Sequence, residues 1–238
     1  MLIQTYLDSL PEDEEEINVS SKGIAYLDVT RFKKLKQLIC SYNQLTSLHL
    51  NENLQRLDCS NNQLTSLHLN EKLEILYCYN NKLTFLHLNE KLEKLYSSNN
   101  QLTSLHLNEN LKTLDCSKNQ LTILQLNEKL EILHCQFNKL TILPLFDEHL
   151  IICFYYCNPI CEIINPYDKI INCKQINQKL RVLNQFRYLY YCLKFKKQLR
   201  DWLWVKIREP KIREKYSHNY LVENLHEDTD LDELLNNW

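Results

Sequence analysis

Four histidines, His49, His68, His87 and His106, recur every nineteen residues. Imidazole is the commonest metal ligand, and two imidazoles one strand spacing apart, ~5 Å, are close enough to share an ion. Each of these histidines stands between two leucines and repeats with its entire surroundings, so duplication of one segment already accounts for the spacing. No carboxylate or cysteine is expected in the same outward column, and no metal is expected there. Cys153, Cys157, Cys161 and Cys173 lack the Cys-x-x-Cys spacing of a zinc knuckle; their expected role is packing at the end of the repeats. A single glycine, Gly23, excludes glycine-rich phosphate loops, and neither His-Glu-x-x-His nor Gly-x-Ser-x-Gly occurs. These residues point to no catalytic set and no cofactor.

What positions them is a repeat. Leu35, Leu54, Leu73, Leu92, Leu111 and Leu130 stand nineteen apart, each heading an almost copied segment such as Leu54-Gln-Arg-Leu57-Asp-Cys59-Ser-Asn-Asn62-Gln-Leu64-Thr-Ser-Leu67-His-Leu69. A unit this short cannot bury a core alone and must stack on its copies, giving a solenoid. The alternation at Leu57-Asp58-Cys59 is strand spacing, which places Leu57 and Cys59 inside and Arg56, Asp58 and Ser60 outside. Cys40, Cys59, Cys78, Cys116 and Cys135 share one slot, where a small apolar residue packs inward. Asn43, Asn62, Asn81, Asn100, Asn119, Asn138 and Asn158 follow the strands, where the chain turns a corner. Their amides are expected to satisfy backbone groups along the stack, a structural role. The remainder of each unit is too short for a helix and two turns, and its leucine spacing suits an extended return strand.

The unit Leu-x-x-Leu-x-Leu-x-x-Asn-x-Leu, with Cys or Ser97 at the third leucine, resembles the leucine-rich repeat family over roughly residues 17–161. The resemblance implies a leucine-rich repeat solenoid with a parallel sheet on one face; the short repeats add extended return strands. Ile17-Asn-Val19 begins a first, capping turn, and Leu150-Ile-Ile-Cys153-Phe-Tyr155 a degenerate last one. Some bacterial repeat effectors attach a ubiquitin-ligase domain carrying a cysteine nucleophile. Here Cys192 has no acid two residues on, and no enzyme is expected. Leu10-Pro-Glu-Asp13, the segment Asp201 to Tyr216 and the closing Leu235-Asn-Asn-Trp238 look like parts of leucine-rich repeat proteins from amoeba-infecting giant DNA viruses.

Charge divides the chain. An acidic N-terminal arm (1–16) precedes the solenoid (17–161), followed by a connector (162–173) and a helical region (174–238). Residues 174–215 hold thirteen bases against three acids, whereas 216–238 hold six acids and no Lys or Arg. The net charge of -2 gives no whole-chain field toward nucleic acid or membrane. Ile176, Leu180, Leu183, Phe186, Leu189, Leu193, Leu199 and Leu203 fall at helix spacing before the stop at Pro210, so an α-helical C-terminal cap over the open solenoid end is expected. The start does not resemble a signal peptide, the longest apolar run is Leu150–Cys157, and aligned thiols suit a reducing compartment. A cytoplasmic protein is expected, in the host cell cytoplasm if the viral resemblance holds, with no membrane contact.

The outward strand positions form columns. One runs through Ile39, Asp58, Tyr77, Tyr96, Asp115, His134 and Phe154. Two clusters stand out: Ile75, Tyr77, Tyr79 and Tyr96, then Ile132, His134, Phe137, Phe154 and Tyr156. Exposed aromatics on a rigid scaffold are the composition of an interaction surface. The expected function is a non-catalytic protein–protein interaction scaffold that binds a partner protein through the sheet face. The alternative is contact of Lys194, Lys196, Lys197, Arg200, Lys206 and Arg208 with nucleic acid or an acidic partner. A weaker one is a ubiquitin-ligase adaptor working through Leu10-Pro11, although too few residues precede the repeats for a full F-box.

Overall fold

The computed structural model of the chain describes residues 3–146, 149–161, 173–194, 197–198 and 204–211, in two compact units, Met1–Arg181 and Val182–Trp238. The first begins with helix α1 (Ile3–Ser9) and continues through eight three-residue strands. These are β1 (Glu16–Asn18), β2 (Gln37–Ile39), β3 (Arg56–Asp58), β4 (Ile75–Tyr77), β5 (Lys94–Tyr96), β6 (Thr113–Asp115), β7 (Ile132–His134) and β8 (Ile152–Phe154). They form one sheet in chain order, and every neighbouring pair is parallel.

The register follows from burial. The central residue of each strand (Ile17, Leu38, Leu57, Leu76, Leu95, Leu114, Leu133, Cys153) pairs with its counterpart in the next turn, and all are buried. Two residues on, Val19, Cys40, Cys59, Cys78, Ser97, Cys116, Cys135 and Tyr155 fill a second interior column. Backbone bonds continue the ladder there, as from Cys59 N to Tyr77 O at 2.9 Å. A one-residue slip would turn both columns outward, so the apolar pattern fixes the pairing.

The return legs depart from expectation, for they carry no strands. Leu64 and Leu67 are both buried at three-residue spacing, which requires the backbone to bend rather than alternate with period two. The amides therefore fall out of line with the next turn, and few backbone bonds remain, as from Lys82 N to Leu64 O at 2.9 Å.

Asparagines take over the unpaired groups at both corners. Asn81 Nδ2 donates to Cys59 O at 3.0 Å and Cys78 O at 3.1 Å, and its Oδ1 accepts from Leu64 N at 2.9 Å. Asn43, Asn62, Asn100, Asn119, Asn138 and Asn158 repeat this pattern. A second column, Asn51, Asn70, Asn89, Asn108 and Asn127, donates to backbone carbonyls at the opposite corner. Asn70 Nδ2, for example, donates to the carbonyls of Asn51 and Leu54 at 2.5 and 2.9 Å. Ahead of each first-column asparagine the backbone is left-handed: Tyr42, Asn61, Asn80, Asn99, Lys118, Phe137 and Cys157 have φ of 54–56°, as does Ser21 ahead of Lys22. Asparagine tolerates this region well, and Asn61, Asn80 and Asn99 occupy the middle turns.

The ends of this unit are tied down. Leu7 of α1 is buried, and the Arg31 guanidinium donates to the carbonyls of Leu7 and Leu10 while lying 4.5 Å from the Phe32 ring centroid. After the last turn, Asn177 of helix α2 (Cys173–Lys194) bonds both ways with the Phe146 backbone, at 2.7 and 2.8 Å, and Leu180 is buried.

In the second unit α2 continues to Lys194, whose ammonium lies 5.7 Å from the Tyr190 ring, and a π-helical turn spans Trp204–Arg208. Phe186, Tyr188, Leu189 and Tyr190 are exposed. Most of the connector, the side chains of Ile176, Cys192 and Leu193, residues Leu199 and Leu203, and everything beyond residue 211 lie outside the described residues. No described helix is long and apolar enough to cross a membrane.

Candidate functional site: the sheet face

Because the pairing is in register, outward side chains at one position of successive strands stand one strand spacing apart, ~4.8 Å. The middle column is Asn18, Ile39, Asp58, Tyr77, Tyr96, Asp115, His134 and Phe154. Tyr77 and Tyr96 stack in parallel with ring centroids 4.7 Å apart and planes within 4°. The Arg56 guanidinium lies 5.5 Å from the Tyr77 ring centroid. Burial, then neighbouring Tyr77 and Asp115, raise the Tyr96 hydroxyl above its ordinary pKa. Further along, His134 and Phe154 meet edge to face at 4.9 Å and 75°. Phe137 and Tyr156 do so at 5.4 Å and 79°.

Ile75, Tyr77, Tyr79 and Tyr96 are all partly exposed on β4, β5 and the second residue after β4, so the structure brings this cluster together. Ile132, His134, Phe154 and Tyr156 are likewise partly exposed on the last two turns, with Ile152 beside them. Between the clusters lies β6, where Thr113 and Ser117 are nearly covered.

Two expectations need correction. Ser60, placed outside by alternation, is fully buried, and Ser41 and Ser117 nearly so; Ser60 lies beside the longer Tyr79 of the next turn. Their hydroxyls work locally: Ser60 N and Oγ donate to Asp58 Oδ1 at 3.0 and 2.6 Å, and Ser117 N and Oγ to Asp115 Oδ1 at 3.0 and 2.7 Å. The Asp-x-Ser spacing is the signal for this, and Asn18-x-Ser20 repeats it.

The second correction concerns the histidines. His49, His68, His87 and His106 are exposed on the return legs, but a carboxylate does stand near the first of them. Asp28 is held below its ordinary pKa by hydrogen bonds from Thr30, with a smaller contribution from His49. The first turn is two residues longer than the nineteen-residue turns that follow, so a nineteen-residue count passes over Asp28. Among the described residues no three His, Cys, Asp or Glu side chains gather to hold a metal.

The interior cysteines are free thiols whose pKa burial raises, Cys40 to about 12. Thiols held protonated this way are inert packing groups.

No family model and no curated protein matches the sequence. Solved structures do. The functional domain of InlJ from Listeria monocytogenes, which includes a cysteine ladder, gives a TM-score of 0.59 at 34% identity, over 61% of this chain and 35% of its own. YopM from Yersinia enterocolitica gives 0.51 at 32%, over 53% and 29%. YopM from Yersinia pestis, a leucine-rich effector protein, gives 0.55 at 26%, over 64% and 51%. The chain thus spans about a third of the length of the first two. The parallel-sheet solenoid, with its roughly nineteen-residue spacing, is thus similar in fold to solved leucine-rich repeat structures.

Proposed function

We propose that the chain is a non-catalytic scaffold that binds a partner protein through the outer face of β3–β8. The observation that carries this reading is the Tyr77–Tyr96 stack, an aromatic surface held rigid by adjacent strands yet partly exposed. Aromatics fixed before binding lose little conformational freedom on docking, which favours their use as anchors. Ile75, Tyr79, Ile132, His134, Phe154 and Tyr156 extend the surface. Residues 17–161 form the binding scaffold, the asparagine columns hold its corners, and the first turns of α2 close its last repeat. The Asn177–Phe146 bonds support that closure. Five buried free thiols in one column suit an intracellular setting, and the resemblance to giant-virus repeat proteins would make that setting a host cell.

Affinity capture from a cell lysate tests the reading. Wild type is expected to retain a protein that Tyr77→Ala/Tyr96→Ala releases, and equal recovery by both would sink the sheet-face assignment. The second reading, contact of Lys194, Lys196, Lys197, Arg200, Lys206 and Arg208 with nucleic acid or an acidic partner, is separated by titration at several salt concentrations, because phosphate contacts impose a steep salt slope. A ligase-adaptor role through Leu10-Pro11 finds less support, since the Leu10 carbonyl is engaged by Arg31 within the fold.

A further inference from the structure

Within the sheet face, one strand carries a site of narrower chemistry. The rings of Tyr77 and Tyr96 stack at 4.7 Å, a strand spacing, so their normals run from strand to strand along the solenoid. Each ring therefore has one face toward the other and one face turned away. The outer face of Tyr77 looks toward β3 and carries the guanidinium of Arg56. The outer face of Tyr96 looks toward β6, where the position equivalent to Arg56 is Thr113. No described cation lies over it.

Below that open face sits Asp115. Strand β6 and the residues after it, Thr113-Leu-Asp115-Cys-Ser117, bear short outward side chains between two long ones, Tyr96 on β5 and His134 on β7. Thr113, overtopped by Lys94 and Ile132, is 9% exposed, and Ser117, beside Gln136 of the next turn, is 5% exposed. The result is a notch with a carboxylate on its floor. Asp115 Oδ1 is pinned by Ser117 N and Oγ, which fixes the carboxylate, while Oδ2 takes no hydrogen bond from the described residues. The ion pairs among the described residues join Lys34–Asp13, Lys36–Glu15 and Lys112–Glu93, and none reaches Asp115.

We propose that the notch over Asp115, walled by Tyr96 and His134, receives an arginine side chain of the partner protein. A guanidinium is planar and weakly hydrated; it stacks on an aromatic face while donating to a carboxylate beside it. Arg56 on Tyr77 shows the ring half of this contact made from within the chain. Lysine, a compact and strongly hydrated charge, fits the stacking half of this arrangement less well. The inference rests on the sheet face being the binding surface and names the chemistry of its partner there.

The test titrates the full chain with the peptide acetyl-Gly-Gly-Arg-Gly-Gly-amide, and with its citrulline counterpart, which keeps the shape and loses the charge. Binding is followed through the amide resonances of residues 113–117. The arginine peptide is expected to shift them saturably and the citrulline peptide not. Asp115→Asn preserves the bonds to Ser117 and is expected to weaken binding about tenfold or more. Thr113→Arg, which supplies a guanidinium from within as β3 already does, is expected to block it, and Asp58→Asn to leave it unchanged. Equal shifts from the citrulline peptide, or an Asp115→Asn response like that of wild type, would overturn the proposal. Capture separates the two levels: a partner kept by Asp115→Asn and Thr113→Arg but lost by Tyr77→Ala/Tyr96→Ala removes the arginine notch and leaves the sheet face. A partner kept by all of them removes both.

Discussion

Tyr77 of β4 and Tyr96 of β5 lie face to face, ring centroids 4.7 Å apart and planes 4° from parallel. The sheet imposes this stack, since register places the two residues opposite each other at a strand spacing. Stacked rings on a pleated surface should stabilise each other beyond their separate burial. A double-mutant cycle of Tyr77→Ala and Tyr96→Ala in urea is expected to give a coupling of about 0.5–1.5 kcal/mol. Simple additivity of the two single effects would mean that the rings do not hold each other in place.

The corner asparagines carry a different load. Asn81 serves two carbonyls and one amide that have no strand partner, so Asn81→Ala leaves buried backbone groups unsatisfied. The expected cost is ~1–3 kcal/mol, read as a lower urea midpoint. Asn70→Ala should also lower it, because Asn70 serves the carbonyls of Asn51 and Leu54 at the other corner. An unchanged midpoint in either variant contradicts the ladder account.

Backbone strain predicts a gain. Tyr42 has a φ of 56° and is 61% exposed, so its ring contributes little packing while its Cβ disfavours the left-handed conformation. Three equivalent positions use asparagine, at Asn61, Asn80 and Asn99. Tyr42→Asn is expected to stabilise the solenoid by up to ~1 kcal/mol. A lower urea midpoint would count against it.

Alkaline pH should weaken the stack. Burial raises the Cys40 thiol from its ordinary 9.0 to about 12, and burial raises Cys59, Cys78, Cys116 and Cys135 as well. Unfolding lets each thiol ionise near its ordinary value, so this contribution is complete below pH 9 and is lost as pH climbs toward 12. The urea midpoint should fall over that window, and less steeply in Cys78→Ser. The fold already accepts serine in this slot one turn on, at buried Ser97. Parallel slopes for the two proteins would show that the thiols are not responsible.

The inward columns are legible in the sequence because leucines nineteen apart leave one workable register, and the outward columns follow from the same count. What the count misses has local causes. Asp28 escapes it because the first turn is longer. Ser60 lies deeper than alternation suggests, because alternation gives direction but not the height of the neighbours. Asn51, Asn70, Asn89, Asn108 and Asn127 look in sequence like an ordinary polar loop, and only the next turn reveals which carbonyls they meet. Within the candidate site, membership of each column is readable, but the Tyr77–Tyr96 stack, the place of Arg56 and the notch at Asp115 are not. They depend on side-chain directions set by residues one turn away.

Hydroxyl-radical footprinting of the chain, alone and with its captured partner, tests the central claim most directly. The account predicts that Tyr77, Tyr79, Tyr96, His134 and Tyr156 lose labelling in the complex while His49, His68, His87 and His106 on the return legs keep theirs. Protection of those histidines, or of Tyr188 and Tyr190 on α2, with the sheet tyrosines labelled as before, would contradict it.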